Sequence, residues 1–210
     1  MPRFGECGNR EDSPIITGAV SPASLYPGCP AAGVLYADPP WPEDKSFLPN
    51  THGGPKAYAN TQYRLLSLRE LSAFALPPIQ EHCFLFLWTP FRKLEDAVKL
   101  CNDWGFTYAR NGIVWVKTDL DVTKPVRGLG HRFLTCHELC LLGVRGRPVQ
   151  KVKNQKSVLM APRTRHSQKP EVMYEVIERY ADGPYVELFA RRRRQGWHCY
   201  GDSPGFNSGG

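Results

Sequence analysis

Four consecutive residues, Asp38-Pro39-Pro40-Trp41, combine a carboxylate, two rigid turn formers and an aromatic plate. Each proline fixes its own φ, and Pro40 also holds Pro39 extended. The turn is therefore stiff, and neither proline has an N–H to compete for nearby carbonyls. Asp38 offers one acceptor, the Pro39 carbonyl a second, and Trp41 a flat face for stacking. Two acceptors beside an aromatic plate suit a planar base that carries an NH₂ group. Accepting both amine hydrogens pulls that nitrogen toward tetrahedral geometry and frees its lone pair to attack an electrophilic methyl. Positioning and electrostatics would supply most of the rate. Taken in isolation, the same four residues also suit a rigid surface turn.

Such a turn needs elements that hold it. The apolar run GVLYAD (33–38) reads as a buried strand stopped by the prolines. CFLFLW (83–88), IVWVK (113–117), ELCLLGV (138–144) and YVELFA (185–190) read as further strands. SLRELSAF (67–74) opens with a serine cap and has Glu70 three residues on, the reciprocal capping pattern of a helix start. Leu94, Ala97, Val98 and Cys101 recur at helical spacing over 91–103, with Gly105 as a stop. PEVMYEVIERYA (170–181) predicts a helix with proline in its first turn. Strands alternating with helices predict an α/β fold with a mainly parallel sheet and helices on both faces. Ligands of such sheets bind beyond the carboxyl ends of the strands. The residues found there are Asp38 to Trp41, Thr89-Pro90, Lys117-Thr118, and Arg191 onward.

The ordered set DPPW (38–41), FLFLW (84–88), WGF (104–106), IVWVK, GLGH (128–131), Glu138, LLGVRG (141–146), HSQKP (166–170), ELFAR (187–191) and GW (196–197) resembles the MT-A70 type of adenine methyltransferases. That family includes enzymes of messenger RNA together with bacterial and phage relatives. The resemblance implies a Rossmann-like fold for a methyltransferase dependent on S-adenosylmethionine. It also implies a permuted, β-class motif order, because the cofactor-like strand ELFAR follows the DPPW strand. It implies a catalytic turn of Asp38, Pro39, Pro40 and Trp41. Asp38, His166, Ser167, Lys169, Arg191 and Asp202 would hold the cofactor. Lys169, just ahead of a helix, would meet the cofactor's carboxylate, and Arg191 its ribose. Trp41, Tyr63, His131, Glu138, Arg192 and Arg193 would face the substrate. The chain departs from the family in Arg192 to Arg194, where Pro-His-Asn is common, and in Asp202-Ser203, where some relatives carry Asn-Gln.

The 210 residues suffice for one domain, placed at 31–202, with an irregular arm at 1–30 and a tail at 203–210. No apolar run approaches the ~18 residues of a membrane span, and no signal-like stretch opens the chain, so a cytoplasmic protein is expected. Seven cysteines, an odd count with several in apolar runs, read as reduced thiols, and no metal is expected. The net charge of +7 favours a polyanionic partner, and the cations concentrate after residue 144. The expected substrate is DNA, methylated at the adenine 6-amino group. RNA as the substrate, or a silent partner subunit, are the alternatives, and a homodimer is possible on this reading.

Overall fold

The computed structural model describes residues 22–42, 64–126, 128, 132–163 and 168–201. Their elements are α1 (Pro22–Leu25), β1 (Ala32–Ala37), α2 (Leu68–Ser72), β2 (Ile79–Thr89), α3 (Leu94–Asp103) and β3 (Thr107–Thr118). β4 (His137–Arg145), β5 (Val158–Pro162), α4 (Val172–Tyr180), β6 (Tyr185–Leu188) and β7 (Trp197–Tyr200) follow. The strands join in one sheet of order β5-β3-β4-β2-β1-β6-β7.

Burial explains why these segments became strands. All six residues of β1 are buried, as a central strand covered on both faces requires. Along β2 the side chains alternate between two cores. Cys83, Leu85 and Leu87 join α2 and α3 through Leu71, Ala97, Leu100 and Cys101. Phe84, Phe86 and Trp88 join α4 through Met173, Val176 and Ile177. The sheet thus has helices on both faces, as expected. The Ser67 cap forms as its spacing predicts, accepting from the Glu70 N–H while Glu70 accepts from the Ser67 N–H at 2.7 Å. Gly105, at φ +81°, closes α3 in the left-handed region that glycine tolerates.

Two features differ from the sequence reading. β4 runs against both its neighbours, β2 and β3, whereas every other adjacent pair is parallel. Its apolar pattern carries no direction, because a strand buried on both faces reads alike either way. The short strands β5 and β7 were also not read, since four or five residues give too little periodicity. Within the expected N-terminal arm, Pro22–Leu25 is helical. Tyr26 is buried there and donates its hydroxyl to the Ala75 carbonyl at 2.6 Å. Residues 1–21 and 202–210 lie outside the described residues. Among the described residues no helix is long and apolar enough to cross a membrane.

Candidate active site

The reversal of β4 builds the site. β1, β2, β3 and β6 end at one edge of the sheet, and β4 begins there. Asp38 follows β1 directly, while Glu138 enters on the first turn of β4, level with Trp115 of β3. Lys117 leaves the same end of β3. Lys169 stands on the segment just before α4.

These four side chains form a chain of ion pairs. The Lys169 ammonium lies 2.7 Å from Asp38 Oδ1 and 3.2 Å from Glu138 Oε2. Lys117 closes on the other Glu138 oxygen. Their side chains are only 12–19% exposed, so solvent screens the pairs weakly. Lys169 also sits 5.5 Å above the Trp88 ring, where the π face favours a cation. Burial pushes the Glu138 carboxyl up, but the Lys169 and Lys117 ammoniums overcome it and leave the pKa below the ordinary value. Burial likewise pushes Lys169 down, and Asp38 and Glu138 together raise it above the ordinary value. Lys169 therefore stays charged, between two carboxylates of the protein itself.

The turn is more constrained than its sequence suggested. The Trp41 N–H donates to the Pro39 carbonyl at 2.8 Å, and the Leu66 N–H to the Pro40 carbonyl at 2.9 Å. The carbonyls expected to be free of internal competition each hold one partner already, leaving one lone pair apiece. Trp41 is 9% exposed, packs in the α2/α3 core and donates its indole N–H to the Trp88 carbonyl at 2.9 Å. An open stacking plate is thus not what Trp41 presents. Its ring fastens the turn to β2, because a buried indole N–H must find an acceptor.

Arg191 follows β6 at the same edge and is partly buried. Arg192 and Arg193 are exposed. Arg192 pairs with Glu171, and Arg194 lies 3.6 Å from Glu171, 3.4 Å from Glu178 and 4.5 Å over the Tyr174 ring. Part of the basic run expected to face the substrate is thus engaged by Glu171 and Glu178. Tyr63, His131, His166, Ser167 and Asp202 lie outside the described residues.

Two residues at this edge were not assigned from the sequence. Lys117 had a signal, a cation ending an apolar strand on the ligand side of the sheet. Glu187 had another, a carboxylate inside the apolar strand YVELFA. It is 7% exposed, level with Tyr36 of β1. Tyr174 donates its hydroxyl to both Glu187 oxygens at 3.0 Å, and the Cys199 thiol lies 3.7 Å away. Burial lifts the Glu187 pKa to about 7, with the Asp38 charge adding to the rise. Phe189, next to the end of β6, holds φ +60°, an unfavourable conformation for a bulky residue. Its ring packs 4.9 Å from that of Phe74.

A mainly parallel sheet covered on both faces, with a charged cluster at its carboxyl edge, places a candidate site where α/β folds bind their ligands. The MT-A70 family model matches residues 33–203, and the chain belongs to that family of N(6)-adenine methyltransferases. It is 31% identical over 183 residues to the Type II methyltransferase M.MunI of a Mycoplasma species, covering 80% of this chain and 76% of that protein. It is 32% identical over 164 residues to the human N(6)-adenosine-methyltransferase catalytic subunit METTL3, covering 75% of this chain and 25% of that subunit. An Arabidopsis thaliana N(6)-adenosine-methyltransferase MT-A70-like protein is 28% identical over 175 residues, which are 81% of this chain and 23% of that protein. The chain thus spans about three quarters of the first relative and about a quarter of the other two.

Proposed function

We propose that this chain transfers a methyl group from S-adenosylmethionine to the exocyclic 6-amino group of adenine in DNA. The observation that carries this reading is the Asp38 carboxylate, held at the end of β1 by Lys169 inside a family match covering 33–203. When bound, S-adenosylmethionine supplies an electrophilic methyl on a sulfonium centre. The donor set suits it. Its amino-acid end carries one ammonium and one carboxylate, and the cluster offers one of each in Asp38 and Lys169. Arg191 stands at the neighbouring strand end for the ribose hydroxyls.

On the substrate side, Asp38 accepts an N–H of the adenine amine, and the remaining lone pair of the Pro39 carbonyl accepts the other. Both contacts draw the amine lone pair out of the ring and aim it. Asp38 does not deprotonate the neutral amine, which is far too weak an acid. Its charge instead stabilises the positive charge that grows on the nitrogen, in a site where water screens little, and Asp38 is placed to accept the surplus proton once methylation has made that nitrogen acidic. Trp41 keeps the turn in place from behind. The base reaches this edge by leaving the stack or from single-stranded substrate. Support for DNA over RNA comes from coverage: the alignment takes in 76% of the Type II methyltransferase but 25% of the METTL3 subunit.

The test is methyl transfer from radiolabelled S-adenosylmethionine to duplex DNA, single-stranded DNA and RNA, followed by nucleoside mass spectrometry. Label in N(6)-methyldeoxyadenosine is the expected result. Label in N(6)-methyladenosine alone moves the substrate to RNA. Absence of cofactor binding overturns the enzymatic reading in favour of a silent partner subunit.

A further inference from the structure

The cations divide between opposite ends of the sheet. Lys117, Lys169 and Arg191 to Arg194 gather at the catalytic edge. Arg145, Arg147, Lys151, Lys153 and Lys156 do not. Arg145 pairs with Cys83 while Leu139 pairs with Thr89, so β4 carries the chain six residues, ~20 Å, away from that edge. Segment 145–157, RGRPVQKVKNQKS, then holds five cations and no acid.

The fold fixes this segment in place. Gly146, at φ +62°, turns it out of β4 against the Glu81 carbonyl, where a Cβ would meet the oxygen at 2.4 Å. The Lys151 N–H donates to the carbonyl of Tyr180, the last residue of α4, at 2.8 Å, and the Lys151 ammonium lies 2.7 Å from Asp182. Arg179 donates to Gln155 at 2.6 Å. Arg147, Lys153 and Lys156 remain exposed, with no ion pair among the described residues. Beneath the segment, against α4, lies a cleft of about 440 Å³ with an apolar floor that includes Val152, Leu159 and Val176, and Asn154 and Lys156 on its rim.

β5 connects the two ends. It starts just past Lys156 and returns to the catalytic edge at exposed Arg163, with Val158 and Met160 about half exposed between them. Its five residues span ~17 Å, or about five phosphates at 3.4 Å per strand of duplex. Cations at both ends of an exposed strand, and an acid-free loop at the far one, complement the repeating charge of a nucleic-acid backbone.

We infer that segment 145–157 is a second nucleic-acid contact, remote from the catalytic edge, which grips phosphates flanking the target adenine along β5. This rests on the reading of the chain as an enzyme of nucleic acid. The experiment is the triple variant Arg147→Ala, Lys153→Ala, Lys156→Ala, with binding of fluorescent duplex and single-stranded oligonucleotides followed by anisotropy across a salt series. The slope of log affinity against log salt should fall by about 2–3, and low-salt affinity by roughly 10–100-fold. Binding of S-adenosylmethionine and the rate at saturating oligonucleotide should hold, and the charge-keeping set Arg147→Lys, Lys153→Arg, Lys156→Arg should restore the slope. An unchanged slope and affinity in the alanine variant overturn the inference. So does loss of binding to polyglutamate with nucleic-acid binding intact, which assigns the segment to an acidic protein. A wild-type chain that grips oligonucleotides through this segment yet transfers no methyl sinks the adenine-methylation reading and leaves the contact standing.

Discussion

Glu138 and Glu187 are two shielded glutamates close to the same edge of one sheet, and their protonation runs in opposite directions. Burial pushes both carboxyls up. Glu138 meets two ammoniums, Lys169 and Lys117, and ends below the ordinary value. Glu187 meets a hydroxyl and a thiol, feels the negative charge of Asp38, and ends at about 7. A neutral donor steadies a carboxylate but cannot offset its desolvation, whereas a full charge at hydrogen-bond distance can. Of these two glutamates, one is thus held in its ionised form and the other is pushed toward neutrality, a divergence typical of functional sites.

Removing the charges should break this contrast hardest. Asp38→Ala should lower methyl transfer by at least about 10²–10³-fold while the circular dichroism spectrum persists and cofactor binding weakens through the lost ammonium contact. Wild-type turnover in that variant would contradict the proposed chemistry. Lys169→Met should follow, leaving Asp38 without its ammonium and Glu138 with Lys117 alone, at a cost of about 3–5 kcal/mol in urea unfolding. It should also weaken cofactor binding. In the native protein the lowered Glu138 pKa contributes stability above its ordinary value of 4.5, which is lost as pH falls through the folded value. With Lys169 gone, burial acts on Glu138 with only Lys117 opposing it, and acid unfolding should begin at higher pH.

Glu187 obeys the opposite sign. Its folded pKa of about 7 exceeds the ordinary 4.5, so between those values the native state binds more protons than the unfolded one. Its contribution to stability thus declines as pH rises through that window, by roughly 3 kcal/mol in all, and levels off above it. Glu187→Gln keeps an acceptor for Tyr174 and should flatten the window, which urea midpoints across the pH range will read. Tyr174→Phe is the gentlest change. Losing the hydroxyl should cost about 1 kcal/mol and move the Glu187 titration further up, since that bond favours the ionised form.

Much of this was legible before any fold was seen. The apolar runs, the Ser67 cap, the Gly105 stop and the position of DPPW after a strand all depend on neighbours within a few residues. Lys117 and Glu187 left traces too, as charges at the end of or inside apolar strands. The burial of Trp41 was not legible, because a tryptophan after a turn looks the same in sequence whether its ring faces a ligand or a core.

By itself, the sequence determined the periodicity, the caps, the rigid turn and the ordered motifs, because each is a short-range property of the chain. Only the tertiary structure decided that β4 runs backwards. That single reversal places Glu138 beside Lys117 and Lys169, residues 21 and 31 positions away, and carries the cations of 145–157 to the far end of the sheet. Strand direction is set by pairing across the sheet and by the connections available to it, and an apolar pattern carries no arrow.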